Sequence, residues 1–453
     1  MIVMKFGGSS VADASRLRHV ANIIKTQLQR KPVLVLSAMG DTTDHLLIAG
    51  NLALKEGKVD IKQIEKLHLE TIKNLKLPLK KEIDSLLDEL IRLLSGIALI
   101  RELTPRTNDY LVSFGERLSV RIAAAYLKSI NLNARAFDAW EMGFVSNSNY
   151  TQAELLKESW DLIPQKILPQ IKGNVIPVVT GFLAKDSKGI ITTLGRGGSD
   201  LSATMIAAAC SAEEVQVWKD VDGILTADPR IVENAQPVEH VTYEEAAELA
   251  YFGAQVLHPR AMLPCMKTGT PVFVKNSYNI EAPGTRIGQS TPKKSHPVRA
   301  ITSKHNVTLV DIVSTRMLGQ YGFLAEVFSV FAKHNISIDM VATSEVSVSL
   351  TLDTAYDLAD IKKELSQIAS IEIKTGKAII SIVGNVKRSS EILARAFGMC
   401  QLIGVPVQMI SQGASKVNIS FIVDNSEADK VVQAIHLDFF ESSKPGIARK
   451  KGV

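Results

Sequence analysis

Through about the first 290 residues, short apolar runs alternate with stretches of helical spacing. Ile2–Phe6 reads as a strand. Residues 12–30 carry a helical pattern, with Val11, Leu17, Val20, Ile23, Ile24 and Leu28 on one stripe. Pro32–Leu36 is again unbroken, as are Val175–Thr180, Val215–Val217 and Val272–Val274. Strands buried on both faces are apolar throughout, so the pattern predicts an α/β fold with a mostly parallel sheet sandwiched by helices. Right-handed β-α-β crossovers follow. Ligands of such sheets sit at the carboxyl ends of the strands.

The pattern lapses over Glu281–Gly288 and Gln289–Pro297, which are rich in Pro, Gly, Ser and Lys. The main boundary is expected near residues 285–297. The residues beyond it repeat themselves. Ile336-Ser-Ile-Asp-Met340 matches Val405-Pro-Val-Gln-Met409, an offset of 69. Val346–Asp353 matches Val417–Asp424, an offset of 71. Each copy alternates apolar and polar residues, has a helical stretch before it (324–334, 391–403) and another after it (355–368, 426–436). Such strand-helix-strand-strand-helix units form small α+β sandwiches, and the strands of one copy can extend the sheet of the other. The expected divisions are 1–288, 298–375 and 376–453, with 298–312 able to pair with the last unit.

Composition narrows the function classes. With 46% hydrophobic and 22% charged residues, the chain is ordinary globular material. Three widely spaced cysteines without a CxxC or Cys/His cluster argue against a disulfide scaffold or structural zinc. A net charge of +5, with charges interleaved and conspicuous basic runs at Lys293-Lys294 and Arg449–Lys451, points away from nucleic acid. No apolar run has the ~18 residues of a membrane span. The N-terminus lacks the regions of a signal peptide and reads as a strand entering a turn, so the cytoplasm is the expected compartment.

Several motifs sit at strand ends. In Lys5-Phe-Gly-Gly-Ser-Ser10 a strand runs through two glycines into a helix, which places free N–H groups and a helix dipole beside a lysine. That is an anion site, or else a capping turn. In Thr193-Leu-Gly-Arg-Gly-Gly-Ser-Asp200 three glycines surround Arg196, a residue suited to grip a carboxylate in two-pronged fashion, while Ser199 or Asp200 can cap the next helix. Trp218–Arg230 gathers three aspartates and Arg230 after a strand, in positions suited to a turn, to Mg²⁺ or to a nucleotide. Ser37–Asp44 is a hydroxyl-rich loop. Glu116 precedes helical spacing at 118–127, which would make it a first-turn acid.

Taken in order, these motifs and Phe252-Gly-Ala-Gln-Val-Leu-His-Pro259 resemble the aspartate kinases of the amino-acid kinase family, and the tail is similar to their paired ACT regulatory domains. The resemblance spans the whole chain and is to the monofunctional, lysine-sensitive type, without a fused homoserine dehydrogenase. It implies transfer of a phosphoryl group from ATP, with Mg²⁺, to the side-chain carboxylate of L-aspartate. Lys5 and Asp200 would be catalytic. Arg196 would hold the α-carboxylate of the substrate and Glu116 its α-ammonium, with Ser37, Thr43 and Ser199 nearby. Gly7, Gly8, Ser9, Lys219, Asp220, Leu225, Arg230 and Gln255 would line the nucleotide site. At 255 the family commonly has lysine, and at 219 often threonine. Lys219 is therefore a candidate to supply the missing charge.

In the tail, the family's positions for a feedback amino acid fall on Met317, Phe323, Leu324, Ser337, Asp339, Ser344 and Glu345. The two acids suit L-lysine. A homodimer or higher oligomer through the ACT domains is implied as well. The alternatives are a related kinase for another carboxylate substrate and a catalytically silent amino-acid sensor.

Overall fold

A computed structural model describes residues 1–251, 257–292, 296–314, 321–353, 356–413 and 415–441. Gln255, Met317 and the two basic runs lie outside the described residues. The chain divides into two compact units. The first comprises the described residues of Met1–Ile224, Glu239–Tyr243 and Val256–Thr291; the second, those of Leu225–Val238, Glu244–Gln255 and Pro292–Val453.

The first unit is built on an eight-stranded sheet. In chain order its strands are β1 (Ile2–Phe6), β2 (Pro32–Leu36), β3 (Ala134–Phe137), β5 (Ile176–Thr180), β8 (Val215–Lys219), β9 (His240–Thr242), β10 (Val272–Asn276) and β11 (Thr285–Gly288). A three-stranded sheet holds β4 (Val145–Ser146), β6 (Leu183–Asp186) and β7 (Ile191–Thr193). The main order is β3-β5-β2-β1-β8-β10-β11-β9, and β10–β11 is its one antiparallel pairing. The unbroken apolar runs are the central strands: all five residues of β1 and of β2 are buried.

The α-helices ahead of β8 are α1 (Ala14–Thr26), α2 (Thr42–Glu56), α3 (Lys62–Leu75), α4 (Lys80–Ile100), α5 (Pro105–Ser129), α6 (Glu158–Lys172) and α7 (Gly198–Ala209), and a further helix, Pro259–Thr268, precedes β10. Leu17, Val20 and Ile24 of α1 pack with Leu118, Ile122 and Leu127 of α5 and with Ile2, Met4, Leu34 and Leu36 of the sheet. This apolar layer fixes where the strand ends lie.

Two helix starts differ from the pattern-based expectation. The α-helix after β1 begins at Ala14, because Asp13 caps it by accepting from the Arg16 N–H (2.9 Å); a short 3₁₀ turn, Gly8–Val11, comes first. Glu116 is not a first-turn acid. It sits in the middle of α5, whose start is set by the Thr104 cap and Pro105.

The second unit carries a six-stranded antiparallel sheet, β13-β14-β12-β15-β17-β16. Its strands are β12 (Val298–Val313), β13 (Met340–Thr343), β14 (Ser347–Asp353), β15 (Ser370–Gly384), β16 (Met409–Ser411) and β17 (Asn418–Asp424). The internal repeat is visible in the ladder. Met340 pairs with Thr351, and its repeat-mate Met409 pairs with Ile422, shifted by the same 69 and 71 residues. Residues 336–339 and 405–408, which alternate like strands, are loops ahead of β13 and β16; only Asp339 and Gln408 donate into the ladder, to Thr351 and Ile422 oxygens (both 2.9 Å). The long strands β12 and β15 pair along most of their lengths and serve both copies.

Residues 225–238 and 244–251, which the linear pattern places in the first unit, pack in the second. Ala227 and Val232 share a core with Val298, Ile301, Phe421 and Ile435. Thr226 Oγ1 meets His436 Nε2 at 2.8 Å, and Glu245 pairs with buried Arg299 (3.2 Å).

Candidate functional site

The site forms where β1, β2 and β8 end. Lys5 and Val217 are register partners on neighbouring strands, so Lys219, two residues on, leaves the same face as Lys5. Opposite them the first turn of α7 presents Asp200. Its carboxylate meets Lys5 Nζ at 2.7 Å and Lys219 Nζ at 3.6 Å. Lys5 and Asp200 are 6% and 5% exposed, so the ions meet largely out of water. Burial alone would raise the Asp200 pKa, but the two ammonium groups reverse that and hold it below the usual carboxylate range. Burial pushes Lys219 down against the pull of Asp200. Two cations against one anion leave an excess positive charge.

Gly197, not Ser199 or Asp200, precedes α7 as its cap. Its φ is +75°, and a Cβ there would stand 2.6 Å from that of His258. Glycine is therefore required at 197, which leaves Asp200 to pair with the lysines instead of capping. Burial first, and then the charges of Arg196 and Arg260, hold the His258 imidazole below its usual pKa.

Lys5, Gly8, Ser37, Thr43, Glu116, Ser199 and Asp200 line one cleft, together with Ala38, Gly40, Phe182 and the glycines 195, 197 and 198 that surround Arg196. Glu116 is buried there. Its Oε1 accepts from the Ala38 N–H (3.2 Å), while Oε2 has no hydrogen-bond partner. Burial raises its pKa to about 8, against the Ala38 bond and the charge of Lys5. A buried carboxylate oxygen without a donor is costly unless a ligand supplies one.

Gly7 does not offer its N–H to a ligand, because that group donates to the Trp218 carbonyl (3.3 Å) within the sheet. Gly8 and Ser9 open the 3₁₀ turn, whose first N–H groups have no partner within the turn. Lys219 ends β8 and Asp220 follows it directly. Leu225 and Arg230 belong to the second unit, where Leu225 bridges to Pro237 and the exposed Arg230 grips Asp228 (2.6 Å). The loop aspartates do not converge: Asp222 accepts from Asn276 (2.8 Å) and Asn279 (3.2 Å).

Residues 1–276 match the family model of the amino acid kinase family, and residues 310–357 and 380–439 match an ACT domain. The chain is 52% identical to Aspartokinase 1, chloroplastic, of Arabidopsis thaliana, over 97% of this chain and 80% of that protein. The chain belongs to the aspartokinases.

Lysine-sensitive aspartokinase 3 of Escherichia coli is 34% identical, over 97% of this chain and 99% of that one. The fold agrees with E. coli aspartokinase III solved with aspartate and ADP in the R-state, at a TM-score of 0.83 over 97% of this chain and all of that one. The same relative in the T-state with lysine and aspartate gives 0.78. Among the described residues of this aspartokinase, no helix is long and apolar enough to cross a membrane.

Of the expected effector residues, Phe323 and Leu324 open the helix Phe323–Lys333, while Ser337, Ser344 and Glu345 are exposed. Asp339 is already engaged: one oxygen accepts from Tyr251 Oη (2.7 Å) and the other meets Lys304 Nζ (2.6 Å).

Ala38 and Gly40 of the Ser37–Asp44 loop line the cleft too, and so does Phe182, which drew no notice in the sequence. Phe182 follows the carboxyl end of β5 with φ +67°, so the strand-end rule reaches it, but its backbone strain has no sequence signature.

Proposed function

We propose that this aspartokinase positions L-aspartate between Arg196 and Glu116, with the side-chain carboxylate facing Lys5 and the γ-phosphate of ATP. The observation that carries this reading is the buried, unpartnered Oε2 of Glu116 in the cleft that also holds the Lys5–Asp200 pair. An α-ammonium supplies the missing donor and the countercharge together. Arg196, between its glycines, takes the α-carboxylate. Ser37, Thr43 and Ser199 offer hydroxyl contacts.

The attacking carboxylate is ionised at neutral pH and needs no general base. The barrier is the approach of two anions, so catalysis is charge neutralisation and alignment. Lys5 and Lys219 supply cationic charge to the transferring phosphoryl group, Gly8 and Ser9 supply N–H groups, and Asp200 keeps both lysines in place. Among the described residues no three His, Cys, Asp or Glu side chains converge on a metal ion. That suits Mg²⁺, which draws most of its ligands from phosphate and water. Bound with ATP, it would supply charge neutralisation at the phosphates. The ACT-type unit would take L-lysine at Asp339 and Glu345 and would pair subunits. Cytoplasmic placement belongs to the proposal too; the Arabidopsis relatives are named chloroplastic.

The test is ADP release from Mg²⁺-ATP with aspartate, glutamate or N-acetylglutamate, with and without lysine. Turnover with L-aspartate alone, suppressed by lysine, is expected. No ADP with aspartate sinks the reading.

Two smaller effects follow. Glu116 must be ionised to hold an ammonium, and in the unliganded cleft it is mostly protonated below about pH 8. The KM for aspartate should fall as pH rises from 6 towards 8, by up to about tenfold per pH unit, and then level. A flat profile over that range counts against the assignment. Lys219→Ala should raise the KM for ATP by about tenfold, as expected for one charge-assisted contact, with the KM for aspartate unchanged. An unaltered KM for ATP would remove Lys219 from the nucleotide site.

A further inference from the structure

Asp109 lies outside every motif read from the sequence, yet it is fully buried in the first unit. It sits on α5 seven residues before Glu116, two helical turns away and on the same face, about 10 Å along the axis. Its carboxylate is saturated by two segments that frame the Arg196 loop. Both oxygens accept from the Thr151 N–H (3.0 and 2.9 Å), Oδ2 from the Thr193 N–H (3.0 Å) and Oδ1 from Thr193 Oγ1 (2.7 Å).

Thr193 ends β7, and Leu194-Gly195-Arg196-Gly197 follow at once. Gly195 has φ +71° and leans on the Thr151 carbonyl, which a Cβ there would approach to 3.2 Å. The Ala153 N–H closes the arrangement by donating to the Thr193 carbonyl (2.8 Å). One carboxylate thus ties the strand entering the loop, and the turn supporting it, to the helix that carries Glu116.

We propose that Asp109 is a positioning residue that sets the spacing between Arg196 and Glu116, and so acts as a gauge for the α-carboxylate and α-ammonium of the amino-acid substrate. This rests on the reading in which those two residues hold the two groups. A neutral amide at 109 puts an NH₂ group against backbone donors and releases at least one of the ties. The loop then shifts relative to α5, and misalignment of even an ångström is expensive in such a site. The nucleotide side, built on β1 and β8, does not hang on these bonds.

The test compares Asp109→Asn and the milder Thr193→Val with the parent enzyme, each checked by circular dichroism and a thermal melt. Expected is a rise in the KM for aspartate of about 30-fold in Asp109→Asn and of about threefold in Thr193→Val, with the KM for ATP within twofold. Mere loss of folded protein lowers apparent kcat and moves neither KM. If Asp109→Asn does not fold, the Thr193→Val result decides. Unchanged aspartate KM values, or equal rises in both constants, overturn the inference. Glu116→Gln serves as the separate control: if it leaves the KM for aspartate unmoved, the underlying substrate reading has failed, whereas a large rise there with none at 109 and 193 defeats only the gauge.

Discussion

Replacing Lys5 with methionine is expected to lower kcat by about 10³-fold, the usual cost of losing a preorganised charge at the transferring group. Lys5 and Asp200 pair at 2.7 Å in surroundings nearly closed to water. Removing the ammonium takes away one of two cations and leaves Asp200 with only Lys219, at 3.6 Å. The local balance falls from one net positive charge to zero, and part of a carboxylate is turned towards the incoming phosphate. Lys5→Met/Asp200→Asn should therefore recover some of the lost rate, because the second change removes that repulsion. Steady-state kinetics beside a thermal melt checks this. A kcat within threefold of the parent, in a protein that melts normally, would defeat the electrostatic account.

Arg196→Ala should raise the KM for aspartate by about 100-fold, at the upper end for a charge-assisted, two-pronged bond, and leave the KM for ATP nearly unchanged. The loop that carries Arg196 is held in shape by the glycines on either side of it. Gly195 and Gly197 both take positive φ, and Gly198 would clash with Phe182 if it bore a Cβ (2.8 Å). Arg196→Lys should recover little, since an ammonium cannot reproduce the planar fork. Equal shifts in both constants would mean that the residue shapes the loop but does not hold substrate.

The central strands are legible in the sequence because burial on both faces demands short apolar runs rich in β-branched residues, whereas the apolar run at residues 205–209 belongs to the helix α7. The Gly-rich loops are legible for a related reason: close approach and positive φ exclude other residues. Glu116 is harder to place. Its neighbours suggest a helix start, whereas the decisive signal, Thr104-Pro105, lies twelve residues upstream, and burial of an acid in mid-helix has no local signature. Asp109 is invisible for the same reason, since its partners at 151 and 193 come together only through the tertiary fold. The membership of residues 225–238 in the second unit is likewise a long-range fact, carried by Ala227 and Val232. The repeat is legible down to its two-residue slip, because each copy must build the same strand pair.

The strands β12 and β15 give that repeat a practical consequence. Each begins in one copy and ends in the other, and they are hydrogen-bonded along most of their length. Neither copy is a detachable module. Cutting at the point where the two sequences meet, near residue 375, would sever a continuous strand and strip both halves of a neighbour. Swapping regulation between enzymes of this kind would have to exchange the whole tandem, and a single transplanted copy should arrive unfolded.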